Sequence, residues 1–158
     1  MKVISGGQTG ADRAGLDAAA ALRLPTGGQA PAGFSTEAGA DPSLERLGLT
    51  AGGSPESRTE RNVIEADAIV IFAGPVPGPG SELTWTLAVK HQKPVRVIDP
   101  WAPGAAETLA AFLRAHAPRV LDVAGDRESQ APGIYERVRE VMTAVLGTVA
   151  SGCTRRPP

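Results

Sequence analysis

The chain has 158 residues, enough for one domain, and 42% of them are apolar, but only 4% are aromatic, so Ala, Val, Leu and Ile must fill the core. A formal net charge of -1, with no cluster of Lys or Arg, argues against nucleic acid as a partner. No apolar run approaches the ~18–20 residues that span a bilayer, the start Met1-Lys2-Val3-Ile4-Ser5 lacks a signal-peptide core, and the single Cys153 permits neither an internal disulfide nor a cysteine metal cage, so a cytoplasmic chain is expected.

Val3-Ile4 reads as a short buried strand ended by Gly6-Gly7. Ala11 to Leu22 reads as a helix with Asp12 in its first turn, stopped by Leu24-Pro25. A weak strand is predicted near Thr26 to Gln29. Residues 30–57 are rich in Gly, Pro, Ser and Ala and show no period, which predicts a functional or mobile connection. Arg58 to Glu65 reads as a short helix. Ala68-Ile69-Val70-Ile71-Phe72 is the clearest strand, a continuous apolar run suited to burial on both faces. Ser81 to His91 reads as a helix with Ser81 as N-cap. Val95 to Ile98 reads as another buried strand, Ala105 to His116 as a helix, and Val120 to Val123 as a fifth strand. Pro132 opens a final helix ending near Leu146, and residues 147–158 read as a flexible tail. Strand and helix alternate, so the expected fold is a Rossmann-like three-layer α/β/α sandwich with a mainly parallel sheet of about five strands. Right-handed crossovers gather the strand-to-helix loops at one sheet edge, where ligands of such sheets bind.

Three loops carry the chemistry. Ser5-Gly6-Gly7-Gln8-Thr9-Gly10-Ala11-Asp12-Arg13 follows a strand and opens a helix, a place where backbone N–H groups attract an anion. It lacks the Gly-Lys-Ser/Thr of a Walker A loop, and Gly28, Gln29 and Ala30 stand where a dinucleotide site needs an acid, which disfavours NAD. A tight turn without a ligand is the plain alternative. Gly74-Pro75-Val76-Pro77-Gly78-Pro79-Gly80-Ser81-Glu82 also follows a strand and opens a helix. Ser81 and Thr84 can offer hydroxyls to a phosphate. Glu82 repels an anion, so its expected place is a ribose or pterin edge, or the solvent side. A proline-stiffened connection is the alternative. Gly125-Asp126-Arg127-Glu128-Ser129-Gln130-Ala131-Pro132-Gly133 supplies Arg127, a bidentate oxyanion partner, unless Asp126 and Glu128 hold it in a surface ion pair.

A fourth polar segment, Ser57-Arg58-Thr59-Glu60-Arg61-Asn62, joins the same edge: Arg58 and Thr59 can reach the pocket, with Arg58 or Asn62 as ligand candidates, although Glu60 and Arg61 can simply pair on a helix face. His91 and His116 near helix ends suit the dipole rather than a metal. Trp85 and Trp101 read as core or rim residues, and Trp101 can also stack on a flat ring. Cys153 reads as an exposed thiol.

The first loop, Arg58-Thr59-Glu60-Arg61-Asn62-Val63, and Val123-Ala124-Gly125-Asp126-Arg127-Glu128-Ser129 with Pro132-Gly133-Ile134-Tyr135 resemble the molybdenum cofactor carrier proteins, the circularly permuted YpsA-type branch of the SLOG superfamily. The resemblance spans Met1 to about Leu146. It implies a Rossmann-like fold, an oligomer that is often a tetramer, and binding of molybdenum cofactor (molybdopterin) or a nucleotide-like ligand, with molybdoenzymes as recipients. Carried onto this chain, the implied site comprises Gly6, Gly7, Gln8, Thr9, Gly10, Asp12, Arg13, Arg58, Asn62, Gly74, Gly80, Ser81, Glu82, Arg127 and Ser129, with the pterin in an adjacent cleft under residues 30–57. The metal would arrive with the ligand. A related branch hydrolyses nucleoside monophosphates with a Pro-Gly-Gly-x-Gly-Thr-x-x-Glu loop. Here Pro77-Gly78-Pro79-Gly80-Ser81-Glu82-Leu83-Thr84 puts Thr84 where that glutamate would be, and Glu82 is two positions away. An N-glycosidic hydrolase using Asp12 or Glu82 as acid or base is the alternative reading, and a nucleotide-sensing module is a third.

Overall fold

The structure is a computed structural model that describes residues 1–152 as backbone and 1–148 with side chains. Its strands are β1 (Lys2–Ile4), β2 (Thr26–Ala30), β3 (Ser35–Thr36), β4 (Gly39–Ala40), β5 (Leu49–Ala51), β6 (Ala68–Phe72), β7 (Val95–Ile98) and β8 (Val120–Gly125). Its helices are α1 (Ala11–Ala21), α2 (Ser43–Arg46), α3 (Pro55–Glu65), α4 (Pro79–Lys90), α5 (Ala105–His116) and α6 (Ile134–Gly152). Six strands form one sheet in the order β5-β2-β1-β8-β6-β7, and every pairing in it is parallel. The sheet therefore has six strands rather than five. The extra one, β5, is three residues long with only Leu49 buried, too short to show a period.

The fully buried run of β6 feeds two cores. Ala68, Val70 and Phe72 face the layer of α1, α5 and α6, whereas Ile69 and Ile71 face α3 and α4. β1 divides the same way, with Val3 on one side and Ile4 on the other. This alternation is the physical content of a continuous apolar strand. β7 differs from the expected buried strand. It is one of the sheet's two edges, and Arg96 and Val97 are exposed.

Residues 30–57 are structured. They hold a turn of 3-10 helix, the antiparallel hairpin β3–β4, the single turn α2, and β5. Leu44 and Leu49 pin the segment onto Leu16 and Ala30, a small separate core. α4 begins at Pro79 with Gly78 as its N-cap, not at Ser81. α6 begins at Ile134, past Pro132, where the Glu128 carboxylate accepts the N–H groups of Gly133 and Tyr135. It continues past Leu146 to Gly152, and Val141, Met142, Val145 and Leu146 keep one face of it in the core. The expected tail at 153–158, Cys153 included, lies outside the described residues.

Candidate functional site

Chain order reverses between β1 and β6, which makes the carboxyl ends of β1, β8 and β6 the switch point of the sheet. A cleft of about 350 Å³ lies there, within the roughly 300–1,000 Å³ of small-molecule sites. The loop after β1 contributes Gly6 and Gln8, with Asp12 from the first turn of α1. α3 turns Pro55, Arg58, Thr59 and Asn62 toward it, a spacing that places all four on one helical face. The start of α4 brings Pro79, Gly80, Ser81 and Thr84, and the loop after β8 brings Gly125, Arg127 and Gln130. Gln29 and Pro31 close one side, and Asp122 of β8 faces the same space.

Thus Gly6, Gln8, Asp12, Arg58, Asn62, Gly80, Ser81 and Arg127 come together as expected, and seven other candidates do not line this cleft. Gly7, Thr9 and Arg13 line a separate space of about 240 Å³ beneath the β3–β4 hairpin. Arg13 is committed to Asp17 at 2.9 Å and to Asp41 and Ser43. Gly10 packs against the third loop, where an added Cβ would lie 2.4 Å from the Asp126 carbonyl oxygen. Gly74 donates its N–H to Asp126. Glu82 lies with Trp85 and Val97 in a groove of about 430 Å³ that Ser81 also borders, because residues 82, 85 and 86 occupy a different helix face from Thr84. Ser129 is held by Glu37. Trp101 is half exposed and does not line the cleft either.

The loops do not offer a ring of free amides. The protein's own carboxylates take many of them. Asp126, buried, accepts the N–H of Gly74 at 3.1 Å, the N–H of Gly78 at 3.0 Å and the Ser81 hydroxyl at 3.1 Å. It serves α4 as a cap from a distant loop, so Ser81 donates inward instead of capping. Glu37 accepts from Ser129 and Thr9. Asp12 accepts the Gln8 N–H at 3.3 Å, and Ser5 Oγ accepts that of Gly7. With Asp126 and Glu128 turned to backbone amides, neither pairs with Arg127, whose guanidinium has no hydrogen-bond or ion-pair partner among the described residues. The N–H groups of Gly80 and Ser81 likewise have no acceptor among the described residues and stand at the positive end of a twelve-residue helix. Arg127, Arg58 and these two amides are the cleft's anion-attracting end.

The other end is acidic. Burial pushes the Asp12 carboxyl up to about 7, against the pull of the Gln8 amide and of Arg127. Burial, with repulsion from Asp12 and then Glu65, raises the Asp122 carboxyl well above the usual range. Asn62 Oδ1 accepts the Gln29 N–H at 2.9 Å, which steadies the wall between the two ends. Thr59 lines the cleft with its segment, Gly125 and Gln130 belong to the third loop without having been singled out, and Asp122 and Gln29 are site residues that the loop motifs missed. A signal for Asp122 was present: an acid inside Val120-Leu121-Asp122-Val123, where an uncompensated buried charge is costly.

An open parallel sheet with a polar cleft at its switch point defines a Rossmann-like α/β protein. The chain belongs to the circularly permutated YpsA SLOG family, whose model matches residues 3–146. It is similar to a crystal structure named "Putative molybdenum carrier protein" from Syntrophus aciditrophicus SB, at 35% identity and TM-score 0.85, over 92% of this chain and 94% of the other. Among curated proteins none matches. No helix among the described residues is long and apolar enough to cross a membrane.

Proposed function

We propose that the chain binds molybdenum cofactor, a phosphate-bearing pterin, in the cleft between α3, α4 and the loops after β1 and β8, and carries it to molybdoenzymes in the cytoplasm. The observation behind this reading is the cleft's two unlike ends. Arg58, Arg127 and the free amides of Gly80 and Ser81 suit a phosphate. The carboxyls of Asp12 and Asp122 suit the N–H donors of a pterin ring. The name of the Syntrophus neighbour agrees with it. The molybdenum belongs to the cargo, and among the described residues no group of three His, Cys, Asp or Glu could hold a metal. An assembly of several copies, which the family resemblance implies, is part of the proposal and is tested by sedimentation velocity.

The test is to express the chain in cells that make the cofactor, purify it gently, and measure molybdenum and oxidised-pterin fluorescence against an Arg58→Ala/Arg127→Ala double variant. The reading predicts both signals in the wild type and their loss in the variant. Neither signal above background in the wild type would sink it. The nucleotide-hydrolase reading retains one supporting observation, an Asp12 carboxyl near 7 that can give or take a proton at neutral pH. Release of free base from a nucleoside monophosphate, lost in Asp12→Asn, would favour it; Glu82 lines the neighbouring groove and not this cleft, which favours Asp12 for that role.

A further inference from the structure

Asp122 lies on β8 between β1 and β6, level with Ile4 on one neighbour and Ile69 on the other. It is 2% exposed. Its carboxyl has no hydrogen-bond partner among the described residues. No sealed side-chain oxygen or nitrogen among them lacks a partner, so the Asp122 oxygens must open onto the cleft that the residue lines. Asp12 stands on the same floor, 9% exposed, with its carboxyl already engaged by the backbone amides of Gln8, Gly125 and Gly6. A carboxyl offers several acceptor sites, and those of Asp122 are left unfilled. Unsatisfied polar groups in a protein interior are costly, which points to a partner that arrives from outside.

That partner is constrained by charge. An anion finds no positive charge on this floor and belongs at the other end, with Arg58, Arg127 and the α4 amides. What two carboxyls can accept is a pair of adjacent N–H donors, the planar arrangement that Arg offers a carboxylate. A 2-amino-4-oxo pyrimidine ring carries that pair as its amino group and the neighbouring ring N–H. Pterins and guanine share this edge. Hypoxanthine lacks the amino group, and adenine presents an acceptor at the corresponding ring nitrogen.

We propose that Asp12 and Asp122 form the specificity floor of the cleft and read the 2-amino-4-oxo edge of the ligand's ring. This rests on the anion-binding end described under the proposed function. It adds which rings are admitted. The donor edge points down toward Asp12 and the α3/α4 face of β8, and the phosphate points out toward Arg127. Asp122 is the more discriminating of the two, because no amide of the protein competes for it.

The test uses the full chain and protein-observed NMR titrations with neopterin monophosphate, GMP, IMP, AMP and inorganic phosphate. The wild type is expected to bind GMP and neopterin monophosphate at least about tenfold more tightly than IMP or AMP. Asp122→Asn, nearly isosteric, should bring GMP and IMP within about threefold of each other while leaving inorganic phosphate within about twofold of wild type. Asp12→Asn provides the same readout should Asp122→Asn melt early. Equal wild-type affinity for GMP and IMP would overturn the inference, as would Asp122→Asn or Asp12→Asn weakening inorganic phosphate as much as GMP. Ring discrimination that vanishes on chelating divalent metal would also overturn it, since a bridging cation would then be reading the ring. Phosphate binding without ring preference refutes this inference alone. A wild type that binds none of the five refutes the anion site with it. The ratio of neopterin monophosphate to GMP tells which source of the shared edge the cleft prefers.

Discussion

Glu37, at the tip of the β3–β4 hairpin, stands against Ser129 as an incoming anion would. Its carboxylate accepts the Ser129 N–H at 3.1 Å, the Ser129 hydroxyl and the Thr9 hydroxyl. These bonds hold the carboxyl below the usual glutamate range. The hairpin is thereby tied to the loop after β8, and the second cleft lies underneath it. Because Glu37 is exposed, Glu37→Ala should change global stability by less than about 1 kcal/mol. It should instead release the hairpin, with amide hydrogen exchange rising at residues 35–40 and at Ser129. Unchanged exchange there would mean that the tie does not hold the hairpin.

Asp126 links the second and third loops with three acceptor contacts inside the protein. Asp126→Ala leaves the N–H groups of Gly74 and Gly78 and the Ser81 hydroxyl unpaired, at a cost of about 1–3 kcal/mol. Urea denaturation should show that loss, with Asp126→Asn losing less because one acceptor oxygen remains.

Gly10 has a φ of 79° and touches the backbone of residues 126–128. A methyl group at position 10 has no room there, and the contacting atoms are backbone. Gly10→Ala should lower stability by more than about 1 kcal/mol and weaken ligand binding in the main cleft, although Gly10 does not line it. A variant with wild-type melting would show that the two loops separate easily.

Stability should fall as pH rises from about 4 to about 7. The folded Asp12 carboxyl is raised to about 7 from 3.8, so above the unfolded value the unfolded chain ionises first and is favoured. For Asp12 the full loss is on the order of 4 kcal/mol, and Asp122 acts in the same direction. Glu37, Asp41, Glu60 and Asp67 are shifted downward, so they act oppositely, losing stability only as pH falls below the ordinary carboxylate range. Melting temperatures between pH 5 and 8 should therefore decline in the wild type and decline less in Asp12→Asn.

Arg127→Ala should weaken a phosphate-bearing ligand by about tenfold or more and leave the melting temperature nearly unchanged, since its guanidinium makes no bond within the described residues. A large drop in melting temperature would assign Arg127 a structural role.

Much of the arrangement was legible in the sequence. The buried run at Ala68–Phe72 and the glycine turns after β1 and β8 fixed a parallel sheet and its loaded edge. Eight of the expected site residues meet in one cleft for that reason. The rest depended on side-chain direction. Glu82 and Thr84 are two steps apart in sequence yet line different spaces, because each step along a helix turns about 100°. Asp126 looked like a partner for Arg127 until its burial turned it to the amides of another loop. Residues 30–57 have no period because their order comes from a few anchors, Leu44 and Leu49, and not from an amphipathic face.

β1 and β8 lie side by side, although Ile4 and its partner Asp122 are far apart in the sequence. A growing polypeptide that has emerged as far as α5 owns three of the cleft's walls but lacks Asp122, Gly125, Arg127 and Gln130. Capture of cargo is thus deferred until synthesis is nearly finished. A truncation between α5 and β8 should yield a product that retains every glycine of the first two loops and still holds nothing.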